Sequence, residues 1–152
     1  MGTTNFDEVE ADEFRGRFVG EVVGDPLVTE SVEADEAEIA DLVVTGSVIL
    51  PVEDADGDGA IAATSGVVVI SKQTAAALTL AAPTTGDDDG SVLHIVDVAG
   101  AAHVITHAAG FNGGSDDLAT FGGDAGDAIT LVAHGGVWYT LSLLNVTLSE
   151  DT

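Results

Sequence analysis

The run Asp54-Ala55-Asp56-Gly57-Asp58-Gly59 sets three carboxylates at alternate positions ahead of a glycine. Hard cations take oxygen ligands, and in a D-x-D-x-D-G loop the glycine permits the sharp turn that lets the carboxylates converge. Asp54, Asp56 and Asp58 are therefore candidate ligands for a calcium or magnesium ion. The position where such a loop supplies its bidentate glutamate holds Ser65, and the flanks read as strands rather than helices. In so aspartate-rich a chain such a run is more often a solvated turn, and Asp87-Asp88-Asp89 before Gly90 favours a hydrated turn more strongly still. No cofactor is required by any other motif.

Four histidines, His94, His103, His107 and His134, fall in strand-like sequence. His103 and His107 are four apart, so on a strand they share a face. Imidazoles meeting across strands can bind a transition metal; they can also sit in a core with local hydrogen bonds. There is no cysteine, which excludes disulfides, zinc-thiolate sites and thiol nucleophiles. No G-x-S-x-G elbow, Walker A or G-x-G-x-x-G pattern occurs. Enzymatic activity is not expected. Asn145-Val146-Thr147 is a sequon, making Asn145 a candidate glycosylation site.

These residues belong to a very acidic chain. Three basic residues (Arg15, Arg17, Lys72) stand against 27 acidic ones, a formal net charge of −24. Yet 45% of residues are hydrophobic and the mean hydropathy is +0.33, which separates the chain from disordered acidic tails. Such a domain repels itself, and the repulsion is screened where molar salt shortens the Debye length to about 3 Å. Hypersaline surroundings suit it, so the chain reads as a halophile protein, haloarchaeal or from a virus of such a host. With so few cations it is not expected to bind nucleic acid. No window reaches the ~20 apolar residues of a membrane helix, so no membrane partner is expected. Met1–Glu10 lacks the basic and apolar regions of an export leader.

The chain changes character near residue 60. Beyond it, short β-branched runs alternate with turn clusters, which predicts strands in a sandwich or barrel. The predicted strands are Gly66–Lys72, Ala77–Ala81, Val92–Val98, His103–His107, Ala128–His134 and Val137–Leu144. Gly135-Gly136 between the last two suits a tight antiparallel hairpin. Leu93, Ile95, Ile105, Ile129, Leu131 and Trp138 are the expected core. Leu42–Leu50 also reads as strand, while Thr29–Val43 fits a helix or an extended stalk equally. VEADE occurs twice, at Val9–Glu13 and Val32–Glu36.

The order GAIAATSGVVVISK (Gly59–Lys72), ALTLAAPTTGDDDG (Ala77–Gly90), AAHVITHAAGFNGG (Ala101–Gly114), ATFGGDAGDAITLVAHGGVWY (Ala119–Tyr139) and NVTLS (Asn145–Ser149) resembles a β-domain of tailed-virus surface proteins. These are capsid decoration, head-fibre and some tail-fibre proteins. The resemblance covers roughly the distal three-fifths of the chain and implies a homotrimer, no catalytic residues and an N-terminal attachment segment.

The expected organisation is all-β: an attachment arm at 1–24, a connector at 25–59, and a small antiparallel β-sandwich or barrel at 60–152. The arm's anchors to a major capsid protein or other virion protein would be Phe6, Phe14, Phe18 and Val19, with Arg15 and Arg17 pairing with acidic groups. The expected function is a capsid decoration or turret-type protein on the capsid exterior, assembled in the host cytoplasm. The alternatives are a receptor-binding tail-fibre component and a haloarchaeal extracellular binding module.

Overall fold

The computed structural model describes residues 47–151. The described part of the chain belongs to one compact unit, Val44–Thr152. The attachment arm, the VEADE repeats and the helix-or-stalk segment fall outside the described residues.

Alternation of side chains dictates the strands. Gly66–Ile70 and Ala128–His134 bury every second residue, the period-2 pattern of a sheet with one face on a core. In chain order the strands are β1 (Val52–Ala55), β2 (Gly59–Ile61), β3 (Gly66–Ile70), β4 (Ala77–Leu80) and β5 (Val92–Asp97). There follow β6 (Val104–Thr106), β7 (Leu118–Phe121), β8 (Ala128–His134), β9 (Val137–Leu144) and β10 (Val146–Ser149), with a 3-10 turn at Phe111–Gly113. No α-helix occurs among the described residues.

The strands form two five-stranded sheets, ordered β1-β3-β5-β8-β9 (sheet A) and β10-β7-β6-β4-β2 (sheet B). From β1 to β6 the chain crosses to the other sheet after every strand. Each strand therefore pairs in parallel with one from the next coil: β1 with β3, β3 with β5, β2 with β4, β4 with β6. Parallel neighbours need a long crossover, usually a helix; here a strand of the opposite sheet serves. The remaining pairs, β5-β8, β8-β9, β6-β7 and β7-β10, are antiparallel. The expectation of an antiparallel domain is thus corrected to two mixed sheets, and neither closes into a barrel.

The six expected core residues are all buried, joined by Val68, Ile70, Leu78, Phe111 and Phe121 among others. Trp138 ties the sheets together: its ring is buried, and its indole N–H donates to the Ala81 carbonyl at 2.9 Å, across from β9 to the end of β4. β8 and β9 have the expected limits and the expected hairpin, with His134 opposite Val137. Gly135 and Gly136 have φ of 60° and 80°, the left-handed pair that a two-residue hairpin turn demands.

The domain begins earlier than residue 60. β1 pairs with β3 from Val52 to Ala55, so residues 52–59 of the expected connector belong to the sheets. The strand expected over 42–50 is absent across its described part, Ser47–Leu50, where Val48, Ile49 and Leu50 are exposed.

Candidate functional site

The aspartate run lies along β1 and the turn into β2. With Glu53 it borders an open cleft of about 150 Å³. The carboxylates of Glu53, Asp54 and Asp58 are committed to the protein. Glu53 accepts hydrogen bonds from the backbone N–H groups of Ala62 (3.1 Å) and Ala63 (2.6 Å), holding the turn between β2 and β3. Asp54 accepts from the Ser71 hydroxyl. Asp58 accepts from the Lys72 ammonium (2.7 Å) and the Ala77 N–H (2.8 Å), and the lysine bond above all holds its carboxyl below the usual range. Glu53 thus serves the turn after β2, while Asp54 and Asp58 both serve the segment leading from β3 into β4. Among the described residues no three Asp, Glu, His or Cys side chains are placed to hold a metal. Of the expected calcium or magnesium ligands, Asp54 lies on β1 and turns to Ser71, Asp58 lies in the following turn and is taken by Lys72 and Ala77, and Asp56 lies exposed between them.

The densest polar cluster is buried at the end of β5. Asp97 is wholly inaccessible. Its Oδ1 accepts from the N–H groups of Ala99 (2.7 Å) and Gly100 (3.0 Å), and its Oδ2 from that of Ala101 (3.1 Å). His103 Nε2 lies 3.3 Å from Oδ1. Ala76 N–H donates to His103 Nδ1 at 3.0 Å, so the ring proton sits on Nε2 and points at Asp97. Both ring nitrogens are spent, and none remains to accept a proton from a substrate. His107 is equally buried; its Nδ1 donates to the Leu80 carbonyl at 3.0 Å, and its Nε2 has no partner. His103 and His107 do share a face, as expected, but each serves its own part of the core. His94 meets Thr130 on the outer side of sheet A, and the exposed His134 lies 3.6 Å from Asp89.

A second buried carboxylate, Asp127, holds the turn before β8. Its Oδ2 accepts from the N–H groups of Gly123 (2.9 Å) and Asp124 (3.0 Å), and its Oδ1 from the Asn145 amide (2.9 Å). The nitrogen that the sequon would offer to a glycan is therefore engaged internally. It also lies against Gly122, where an added Cβ would come within 2.2 Å of it. Burial opposes the Asp127 charge, but the hydrogen bonds from Asn145 and the backbone outweigh it and hold the carboxyl below its ordinary range. A depressed folded-state value stabilises fully above the unfolded value and is lost as pH falls through the folded one. Urea midpoints should therefore decline below about pH 4. Asp127→Asn should lower stability at neutral pH and flatten that acid limb; a variant with an unchanged limb would remove Asp127 as its source.

None of the families with known models matches this chain, and no curated protein matches it. The arm residues Phe6, Phe14, Arg15, Arg17, Phe18 and Val19 lie outside the described residues. Two exposed apolar groups stand at opposite edges of sheet A: Val48, Ile49, Leu50 and Val52 leading into β1, and Tyr139, Leu141, Leu143 and Leu144 on β9. Sequence reasoning missed this surface, and missed the Asp97 and Asp127 hubs. Asp97 had a signal: an aspartate inside an apolar run, with Ala99-Gly100-Ala101 starting two residues on.

Proposed function

We propose that this chain is a structural protein of a haloarchaeal tailed-virus particle, of the capsid decoration or turret type. Residues 1–24 attach it to the major capsid protein or another virion protein, and three copies project their β-domains outward. The observation that carries the reading is how the β-domain uses its polar groups. Its buried carboxylates and histidines hold its own turns, while both edges of one sheet offer apolar side chains to a partner. That is the economy of a building element rather than of a catalyst. Arg15 and Arg17, two of the three basic residues in the chain, suit an arm that meets acidic neighbours in brine.

The test is co-sedimentation of the full chain with particles stripped of it, in molar salt. Full-length protein should bind, and a variant lacking Met1–Gly24 should stay in the supernatant while remaining folded and oligomeric. Binding by the truncated form would overturn the arm assignment. Failure of the full chain to bind would overturn the virion role.

A further inference from the structure

The outward faces of the two sheets differ in one respect that strand formation does not explain. Val and Thr have nearly the same shape and both favour strands, so the choice between them on an outer face turns on the hydroxyl. On sheet B the outward positions include Thr79 opposite Thr106 and Thr120 opposite Thr147, beside Val104 and Leu118, a face richer in hydroxyls. The outward positions of sheet A include Val67, Val69, Val96 and Val132, with Tyr139 and Leu144 on β9, around a polar row of His94, Thr130 and Ser142 in which His94 bonds Thr130. The valines are half-buried and Leu144 is 63% exposed. The only carboxylate on this face is Asp54, at its β1 corner. The other acidic side chains exposed to solvent sit in the turns, as at Asp87–Asp89 and Asp116–Asp117.

We infer that the outward face of sheet A, continued by the free end of β9, is the surface through which copies of this chain associate. The inference rests on the oligomeric part of the function proposed above. Charge selects the occupant. Each copy carries a formal −24, so contacts through the turns set carboxylate against carboxylate. A cationic partner would be drawn to those same turns and gains nothing from valines. A second copy of this chain brings a face that is largely apolar and carries a single carboxylate, Asp54, at one corner.

Size selects the arrangement. Five strands about 4.8 Å apart and about five residues long give a face of roughly 400 Å². That is about half of the ~800 Å² per side of a standard two-partner interface, so this face alone gives a weak contact. In a closed ring every copy makes two contacts, one given and one received. Leu141 and Leu143 on the β9 edge supply the second patch: Asn112 covers only the start of that edge, accepting from the Thr140 N–H at 2.8 Å.

The test is sedimentation equilibrium of the full chain in molar salt, with three variants checked for folding by circular dichroism. The wild type should be oligomeric. Val132→Glu should weaken association about a hundredfold or more, because each contact would bury an unpaired carboxylate. Leu144→Glu, at a site exposed enough to spare the fold, should weaken it in the same direction. Thr106→Glu, on the outward face of sheet B, should leave it unchanged. A monomeric wild type, an oligomer indifferent to both sheet A variants, or dissociation by Thr106→Glu would each overturn the inference. A monomer whose sheet A resists hydrogen exchange would assign the face to a different occupant, and overturns it too. An oligomer that is sensitive to Val132→Glu but never binds particles keeps this interface and removes the virion role. An insensitive oligomer that does bind particles has the reverse meaning.

Discussion

Asp97→Ala should cost the β-domain about 3–5 kcal/mol, a large share of the ~5–15 kcal/mol that holds a domain of ordinary stability. Four donors converge on this carboxylate: the N–H groups of Ala99, Gly100 and Ala101, and Nε2 of His103. Alanine removes every acceptor at once. A buried donor left without a partner costs about 1–3 kcal/mol, and water cannot reach the residue to replace what is lost. The backbone of Asp97 adds a consequence. Its N–H donates to the Asp127 carbonyl at 2.9 Å and its carbonyl accepts from Gly126 at 2.7 Å, so loosening β5 here also loosens the turn built on Asp127. Asp97→Asn discriminates between charge and shape. The amide keeps the volume but turns one acceptor into a donor, facing a cluster that consists only of donors. It should still cost about 2–3 kcal/mol. Denaturant midpoints in molar salt check both variants, and an Asp97→Asn protein as stable as wild type would show that the hub does not hold the fold.

The pattern of expectation and outcome follows from what an isolated sequence encodes. β8 and β9 were legible because both their alternation and the Gly135-Gly136 turn between them are local properties. The inward residues were legible for the same reason: Leu93, Ile95, Ile129 and Leu131 recur at spacing two. Parallel pairing was not legible. β3 would show the same alternation beside an antiparallel neighbour as it does between β1 and β5, and only the long return through sheet B decides the direction. β2 and β6 are three residues each, too short for any period to emerge. β1 hid within an acidic run, since Glu53 and Asp54 read as solvent-facing loop until their bonds to Ala62, Ala63 and Ser71 are seen. The same long-range partners occupy two of the three carboxylates of the aspartate run, Asp54 and Asp58. An aspartate at alternate positions tells nothing of whether a lysine fourteen residues away will take it, as Lys72 takes Asp58. Sheet A's outer face was hidden by a simpler ambiguity. The run GVVVI is apolar on both sides of the strand, and sequence alone assigns both sides to a core.

Salt should have an effect as large as that of removing Asp97. Residues 47–151 carry 14 acidic side chains and one lysine. Two of the acids, Asp97 and Asp127, are buried and held by hydrogen bonds, so their charge is answered within the fold. The rest crowd into a few turns. Two carboxylates about 7 Å apart repel by about 0.6 kcal/mol in unscreened water. At ~0.01 M salt the screening length is about 30 Å and spans the whole domain; at ~1 M it is about 3 Å and isolates each group from its neighbours. Unfolding moves the groups apart, so in dilute salt it is the folded state that bears most of the repulsion. Going from molar to dilute salt should therefore lower stability by on the order of 3–5 kcal/mol, a fall of roughly 15 °C or more in Tm. Sodium and potassium chloride should act alike at equal ionic strength, and sucrose, which strengthens burial without screening charge, should recover only part of the loss. Working below the concentration at which copies associate separates this effect from assembly, because linked association makes Tm depend on protein concentration. A Tm that stays level across this range of salt would mean that the turns carry their charge without cost, and the case for a brine environment would go with it.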